Sequence, residues 1–267
     1  MDEHSKHKCK VQRNFSRAAN SYTATAVAQF QMATRLAESL KEYLSTVHRH
    51  AGYPISSILD AGCGNGNTLS LLQKQFPEAK TIVASDFSTA MLYQAPSSCQ
   101  RVAADMERLP FVSRGFDLYW SNMAAQWCSW ATFCQEAQRT LAPNGVLACS
   151  ITGENTFKEL KQAFAVIDNH QHIKQFNTEK SIEKHLKLNG FVRLRIHNNT
   201  YTMYYDDSHS LLHGIKSTGA SYVGEGARQG LMSRSAWRKL EVALERQRTA
   251  KGLPLTYRVL LCLCQKE

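Results

Sequence analysis

Ile58-Leu59-Asp60-Ala61-Gly62-Cys63-Gly64-Asn65-Gly66 reads as a short buried strand running into a glycine turn, and Leu69, Leu71 and Leu72 just beyond it predict a helix. Glycines at 62, 64 and 66 let the backbone take positive φ. They also let a ligand approach main-chain N–H groups with no Cβ in the way. A strand, a glycine turn and a helix in that order predict a nucleotide-type site.

Two departures from the dinucleotide pattern G-x-G-x-x-G narrow the ligand. Asn67 stands where that pattern wants its third glycine, and Asp60 stands two residues before the first. A pyrophosphate would be repelled by this carboxylate, whereas the cationic amino acid end of S-adenosylmethionine would be attracted. Thr81-Ile82-Val83-Ala84-Ser85-Asp86 reads as a second strand ending in an acid that can accept hydrogen bonds from a ribose diol. Asp105 closes Arg101-Val102-Ala103-Ala104-Asp105 and, with Met106 after it, is expected at the adenine. Any one of these acids alone is an ordinary cap or turn residue. Three at successive strand ends are not explained by capping, so the expected cofactor set is Asp60, Gly62, Gly64, Gly66, Asp86, Asp105 and Met106.

Outward from the glycine turn, strands are expected near 55–59, 80–85, 100–104, 116–121 and 145–151, alternating with helices near 66–76, 89–95 and 130–141. That alternation is α/β and builds a doubly wound parallel sheet, with ligands beyond the carboxyl ends of its strands. Further helices are expected over 155–168 and 178–189, a sixth strand over 190–200 and a last strand over 255–264. The fourth strand runs out into Ser121-Asn122-Met123-Ala124-Ala125-Gln126-Trp127-Cys128, which makes Asn122, Gln126 and Trp127 candidates for the substrate pocket. Packing under the sheet is the alternative for Trp127 and Trp130. Before the first strand, Val27, Phe30, Ala33, Ala37, Leu40 and Leu44 predict a helix over about 24–49 that folds back over the cofactor site, Phe15 and Tyr22 preceding it. The chain divides as one domain: a helical cap over 1–50, a cofactor-binding core over 51–200, an insertion over 201–254 and the last strand over 255–267.

The formal net charge is +10 in 267 residues. Residues 1–169 hold 16 Lys and Arg against 14 Asp and Glu, and residues 170–267 hold 16 against 8, so the excess sits in the last third of the chain. There the insertion carries Lys216, Arg228, Arg234, Arg238, Lys239, Arg246, Arg248 and Lys251, and Ser233 to Ala250 reads as a basic amphipathic helix. Such a face is either simply solvated or meets an acidic partner. No apolar run is long enough to span a membrane, and the polar first residues precede no apolar stretch, so a cytoplasmic protein is expected. The eight cysteines are scattered without a C-x-x-C spacing and read as reduced, packed thiols, and no metal is expected.

The three acids and their spacing resemble class I S-adenosylmethionine-dependent methyltransferases, and the likeness extends through Phe116-Asp117-Leu118 and Leu141-Ala142-Pro143-Asn144-Gly145. Over nearly its whole length the chain resembles the malonyl-acyl-carrier-protein O-methyltransferase family of biotin synthesis. The stretches are Phe15-Ser16-Arg17-Ala18-Ala19 with Tyr22, Trp120-Ser121-Asn122 with Ala125-Gln126-Trp127-Cys128, Gly214-Ile215-Lys216 with Gly219-Ala220, Glu225-Gly226 with Arg228, and Pro254-Leu255-Thr256-Tyr257. One departure is Ser217, where the family more usually has glycine after the lysine. The resemblance implies a seven-stranded, mostly parallel, Rossmann-like sheet with an N-terminal helix and a helical insertion between strands six and seven. It implies methyl transfer to the free carboxylate of a malonyl thioester, with an acidic acyl carrier protein as partner and neither nucleic acid nor membrane. Tyr22, Asn122, Gln126 and Trp127 are then expected at the reacting atoms, and Arg17, Lys216, Arg228, Arg234, Arg238 and Lys239 on the substrate. A methyltransferase of RNA or of another small carboxylic acid is the competing enzyme reading. A non-catalytic binding module is opposed by the intact acids.

Overall fold

The computed structural model describes residues 3–47, 54–217 and 232–267. Seven strands, β1 (Ser57–Ala61), β2 (Thr81–Asp86), β3 (Gln100–Ala103), β4 (Phe116–Asn122), β5 (Leu141–Thr152), β6 (Phe191–Tyr205) and β7 (Leu253–Lys266), form one sheet in the order β3-β2-β1-β4-β5-β7-β6. The first five are parallel, and β7 runs antiparallel to both β5 and β6. Strand order reverses between β1 and β4, where Asp60 lies level with Trp120. In doubly wound sheets the ligand crevice opens at that reversal.

Alternation along the strands supplies both faces of the core. Ile58, Leu118, Trp120 and Val146 face one side, and Leu59, Tyr119, Leu147 and Cys149 the other, all fully buried. Such near-continuous apolar strands are those of a sheet covered on both sides. The first face is covered by α2 (Val27–Val47), through Met32, Leu36, Leu40 and Tyr43. The second is covered by α5 (Trp130–Thr140) and α7 (Glu179–Leu188), through Phe133, Ala137 and Leu186. Two short crossover helices, α3 (Leu69–Gln75) and α4 (Thr89–Gln94), and α6 (Lys158–Ala165) complete the core. Among the described residues no helix is long and apolar enough to cross a membrane.

Two expectations change. The segment before β1 is two helices, α1 (Glu3–Thr25) and α2, and it is α1 that lies over the glycine loop. The apolar face read at 24–49 instead packs on the sheet, and the Tyr43 hydroxyl donates to the Arg193 carbonyl (3.0 Å) where β6 bulges. The sixth strand also continues past 200, because Tyr201 to Tyr205 pair with Tyr257 back to Leu253. The insertion is therefore 206–252, and it contains α8 (Ser208–Ser217) and α9 (Arg234–Glu245).

Leu36 is fully buried between α2 and the sheet, so Leu36→Ala should cost about 2–5 kcal/mol of unfolding free energy. Tyr93, 88% exposed, should tolerate alanine within about 0.5 kcal/mol. Urea denaturation of both variants checks the contrast.

Candidate active site

The glycine loop is pinned to the end of β2. Gly62 and Cys63 both donate to the Ser85 carbonyl (2.7 and 3.0 Å), and Gly64 N–H donates to the Asp86 carboxylate (3.0 Å). Gly62 has φ +74°, and a Cβ there would meet that of Ala124 at 2.4 Å. Gly66 is required for a different reason: a Cβ would strike Leu69, Pro96 and Ala95 at 3.0 Å or less. It lets the loop pack on the end of α4 and lines neither of the two cavities described below.

Two acids are buried beneath this loop. Asp60 has neither carboxylate oxygen hydrogen-bonded among the described residues, and burial, then the charge of Asp86, push its carboxyl up to about 8. Burial pushes Asp86 up to about 6, opposed by N–H groups of Ser88, Gly64 and Phe87. In its ionised form each is a poorly solvated anion that a cation or a diol would relieve. An orphaned carboxylate beside a cradle that any side chain at 62 would fill fits a ligand with a cationic end, as S-adenosylmethionine has. Gly62, Gly64, Asp86, Asp105 and Met106 line the resulting cleft, whereas Asp60 is buried and is not among its lining residues.

Helix α1 roofs the cleft with Lys8, Val11, Phe15 and Tyr22. Lys8 is ion-paired to Asp105 and, at 3.0 Å, to Glu107, which His4 also contacts at 2.7 Å. Gln12 donates to the Phe87 carbonyl (2.6 Å), and the Ser16 and Ser88 hydroxyls bond at 2.8 Å. Arg17 is exposed and lines neither this cleft nor its neighbour, contrary to its expected substrate role. It stands two residues beyond Phe15, about 200° around the helix.

A second, mainly apolar chamber adjoins the cleft. Phe15, Tyr22, Met123 and Trp127 line both and form the wall between them. Met123 reaches that wall from a left-handed backbone (φ 53°) held by the Ser150 carbonyl (2.9 Å) and hydroxyl (3.0 Å). Trp127 meets Phe15 edge to face at 5.6 Å. Burial, then the Asp86 charge, push the Tyr22 phenol well above its ordinary range, so it stays a donor at neutral pH. The far walls are Leu160 and Phe164 of α6, Leu212 and Ile215 of α8, and Tyr257 of β7. Glu159 braces them, accepting from Thr256 N–H (3.0 Å) and hydroxyl (2.5 Å).

The two carboxamides expected as donors are committed elsewhere. Asn122 lines the cleft, but it gives an N–H to the Gln29 carbonyl (3.0 Å) and accepts from Ser150 (2.7 Å), which ties α2 to β4. Gln126 lines the chamber and donates to the Met123 carbonyl (2.7 Å), and its buried oxygen has no partner among the described residues. Lys216 lines the chamber from its exposed rim, and Arg228 lies outside the described residues. Arg234, Arg238 and Lys239 are exposed on α9, opposite its buried Leu240 and Leu244, and line neither cavity.

Sequence reasoning missed Lys8, Thr152, His172 and Lys174. Lys8 sat in a polar leader with no visible partner. Thr152, whose buried hydroxyl has no partner among the described residues, ends the fifth strand at the same edge as the acids, which was the available signal. His172, bonded to Asp168 at 2.7 Å and stacked on Phe164, and Lys174 come from a loop without a motif.

A methyltransferase domain family matches residues 59–149, from β1 through β5. The YcgJ protein of Bacillus subtilis shares the fold, with a TM-score of 0.57 at 14% identity, over 85% of this chain and 99% of that one. Sequence likeness goes much further. A malonyl-[acyl-carrier protein] O-methyltransferase of Dechloromonas aromatica (strain RCB) is 40% identical over 259 residues, 97% of this chain and 95% of the relative. One from Herminiimonas arsenicoxydans is 34% identical over 100% of this chain and 98% of its own length. Identity at that level, carried through α1, the glycine loop and the insertion alike, places the chain in the malonyl-[acyl-carrier protein] O-methyltransferase family.

Proposed function

We propose that the chain methylates the free carboxylate of a malonyl group held as a thioester on an acyl carrier protein, with S-adenosylmethionine as donor. The observation that carries this reading is the shared wall: a cleft with buried acids is separated from an apolar chamber only by Phe15, Tyr22, Met123 and Trp127. A donor in the one and an acyl end in the other would face each other there.

Asp60 would balance the cationic amino acid end, Asp86 would accept from the ribose diol, and Asp105 with Met106 would border the adenine. When bound, S-adenosylmethionine supplies an electrophilic methyl group on a sulfonium. A malonyl carboxylate is already ionised at pH 7, so no residue need act as a base. The contribution of the chain is alignment and exclusion of water, for which α1 is the roof and the aromatic wall the guide. Tyr22, held protonated, donates a hydrogen bond rather than taking a proton. Thr152 also lines the chamber, with a buried hydroxyl that has no partner among the described residues.

The carrier would dock on the exposed basic face of α9. Its Arg234, Arg238 and Lys239 lie in the part of the chain that holds the positive excess, and a carrier of acidic surface is complementary to them. Function in the cytoplasm accords with this reading.

Mass spectrometry of malonyl-carrier protein incubated with enzyme and donor should show one added methyl group, and an unmodified carrier would overturn the reading. Binding a cation beside Asp60 favours its ionised form, so at pH 7 the carboxyl, free-state value about 8, should give up its proton. Calorimetry in buffers of different ionisation enthalpy should find release approaching about one proton, lost in Asp60→Asn. Affinity should correspondingly rise with pH between about 7 and 8, above the range in which Asp86 ionises, in the parent protein only. Reversing the charges of Arg234, Arg238 and Lys239 together should raise KM for the malonyl carrier about tenfold or more while sparing malonyl-coenzyme A. Equal effects on both would remove α9 as the docking face.

A further inference from the structure

The loop between α6 and α7 carries a cation into the aromatic chamber. Lys174 is half-buried, with its ammonium 5.6 Å from the centre of the Trp127 ring, and it makes no ion pair among the described residues. Among the described residues no Asp or Glu lines the chamber. Its electrostatic neighbours are Cys128 and, on α1, His7, which burial and the Lys174 charge hold below the ordinary histidine range. A cation stripped of part of its water, with no counter-ion in an apolar space, attracts an anion. Burial also pulls the Lys174 ammonium below its usual range, a cost that an arriving carboxylate would offset.

We propose that Lys174 is the specificity-determining cation that anchors the carboxylate of the acceptor against the Trp127 wall. This deepens the malonyl reading above and rests on it. Trp127 belongs to both cavities, so an anion held on Lys174 sits beside the donor cleft. The other lysine of the chamber, Lys216, is exposed at its rim. An ammonium holds one carboxylate oxygen and leaves its twin to attack, whereas a guanidinium engages both in a fork. Methylation then removes the charge that Lys174 grips: the attacking oxygen gains the methyl, the donor sulfur keeps the bonding pair, and the neutral ester loses its anchor. The anchor holds the fully charged bound substrate most tightly and the partly neutralised transition state less, so its loss falls on KM rather than lowering kcat.

Lys174→Met should raise KM for a malonyl thioester about tenfold or more, change kcat by less than about threefold, and leave inhibition by the malonyl methyl ester thioester as in the parent. Lys174→Gln, which keeps a polar end, should show the same split, and Lys174→Arg should recover part of the affinity. Donor affinity by calorimetry should match the parent in each. Parent KM in the folded Met and Gln variants, or equal loss of affinity for acid and ester, would overturn the assignment while the malonyl reading stands. A parent enzyme that turns over no malonyl thioester would overturn the reading and the assignment together.

Discussion

Two carboxylates placed under one glycine loop are the constraint around which the molecule is built. Asp60 is buried with both oxygens unbonded among the described residues, and Asp86 is held by N–H groups of the loop and of the turn after β2. Burying acids is expensive, and the expense shows as carboxyls shifted upward rather than as ion pairs. The parallel strands β1 and β2 fix the acids next to the strand-order reversal. The loop can take this course because positions 62 and 66 carry no side chain, where a Cβ would strike Ala124 and Leu69 respectively.

Around this centre the segments outside the common sheet divide the labour. Helix α1 closes the cleft through polar tethers at Lys8, Gln12 and Ser16 and contributes Phe15 and Tyr22 to the wall. Helix α8 supplies the apolar end of the chamber, and α9 packs by Leu240 and Leu244 while turning its arginines outward. In our reading the protein thus separates the cation-binding, acyl-binding and carrier-facing tasks into three pieces of chain.

The fold was legible because its signals are local. Alternating apolar strands, glycines at 62, 64 and 66 and acids at strand ends each follow from a few adjacent residues, and the sheet order agrees with them. The extra helix was missed because α1 is amphipathic in a polar way: its buried Val11, Ala18 and Ala19 are sparse, and Lys8 has meaning only opposite Asp105. Strand β6 was cut short because Tyr201 to Tyr205 alternate weakly and are defined by their partners in β7. The carboxamides of Asn122 and Gln126 illustrate the limit at the site. Their positions at the exit of β4 were evident from spacing, but what they bond depends on Gln29, Met123 and Ser150, and no spacing reveals that. Arg17 failed for a simpler reason, since pointing inward on a helix is a matter of angle.

The wall common to the two cavities has an implication for altering the enzyme. A change at Phe15, Tyr22, Met123 or Trp127 reshapes both compartments at once, so donor and acceptor preferences are mechanically coupled through those four side chains. The opposite end, at Leu160, Phe164, Leu212 and Ile215, touches one compartment alone. Variants that accept longer or bulkier acids while keeping the same donor are therefore to be sought by trimming those distal aliphatic and aromatic groups, where added room carries no penalty across the partition.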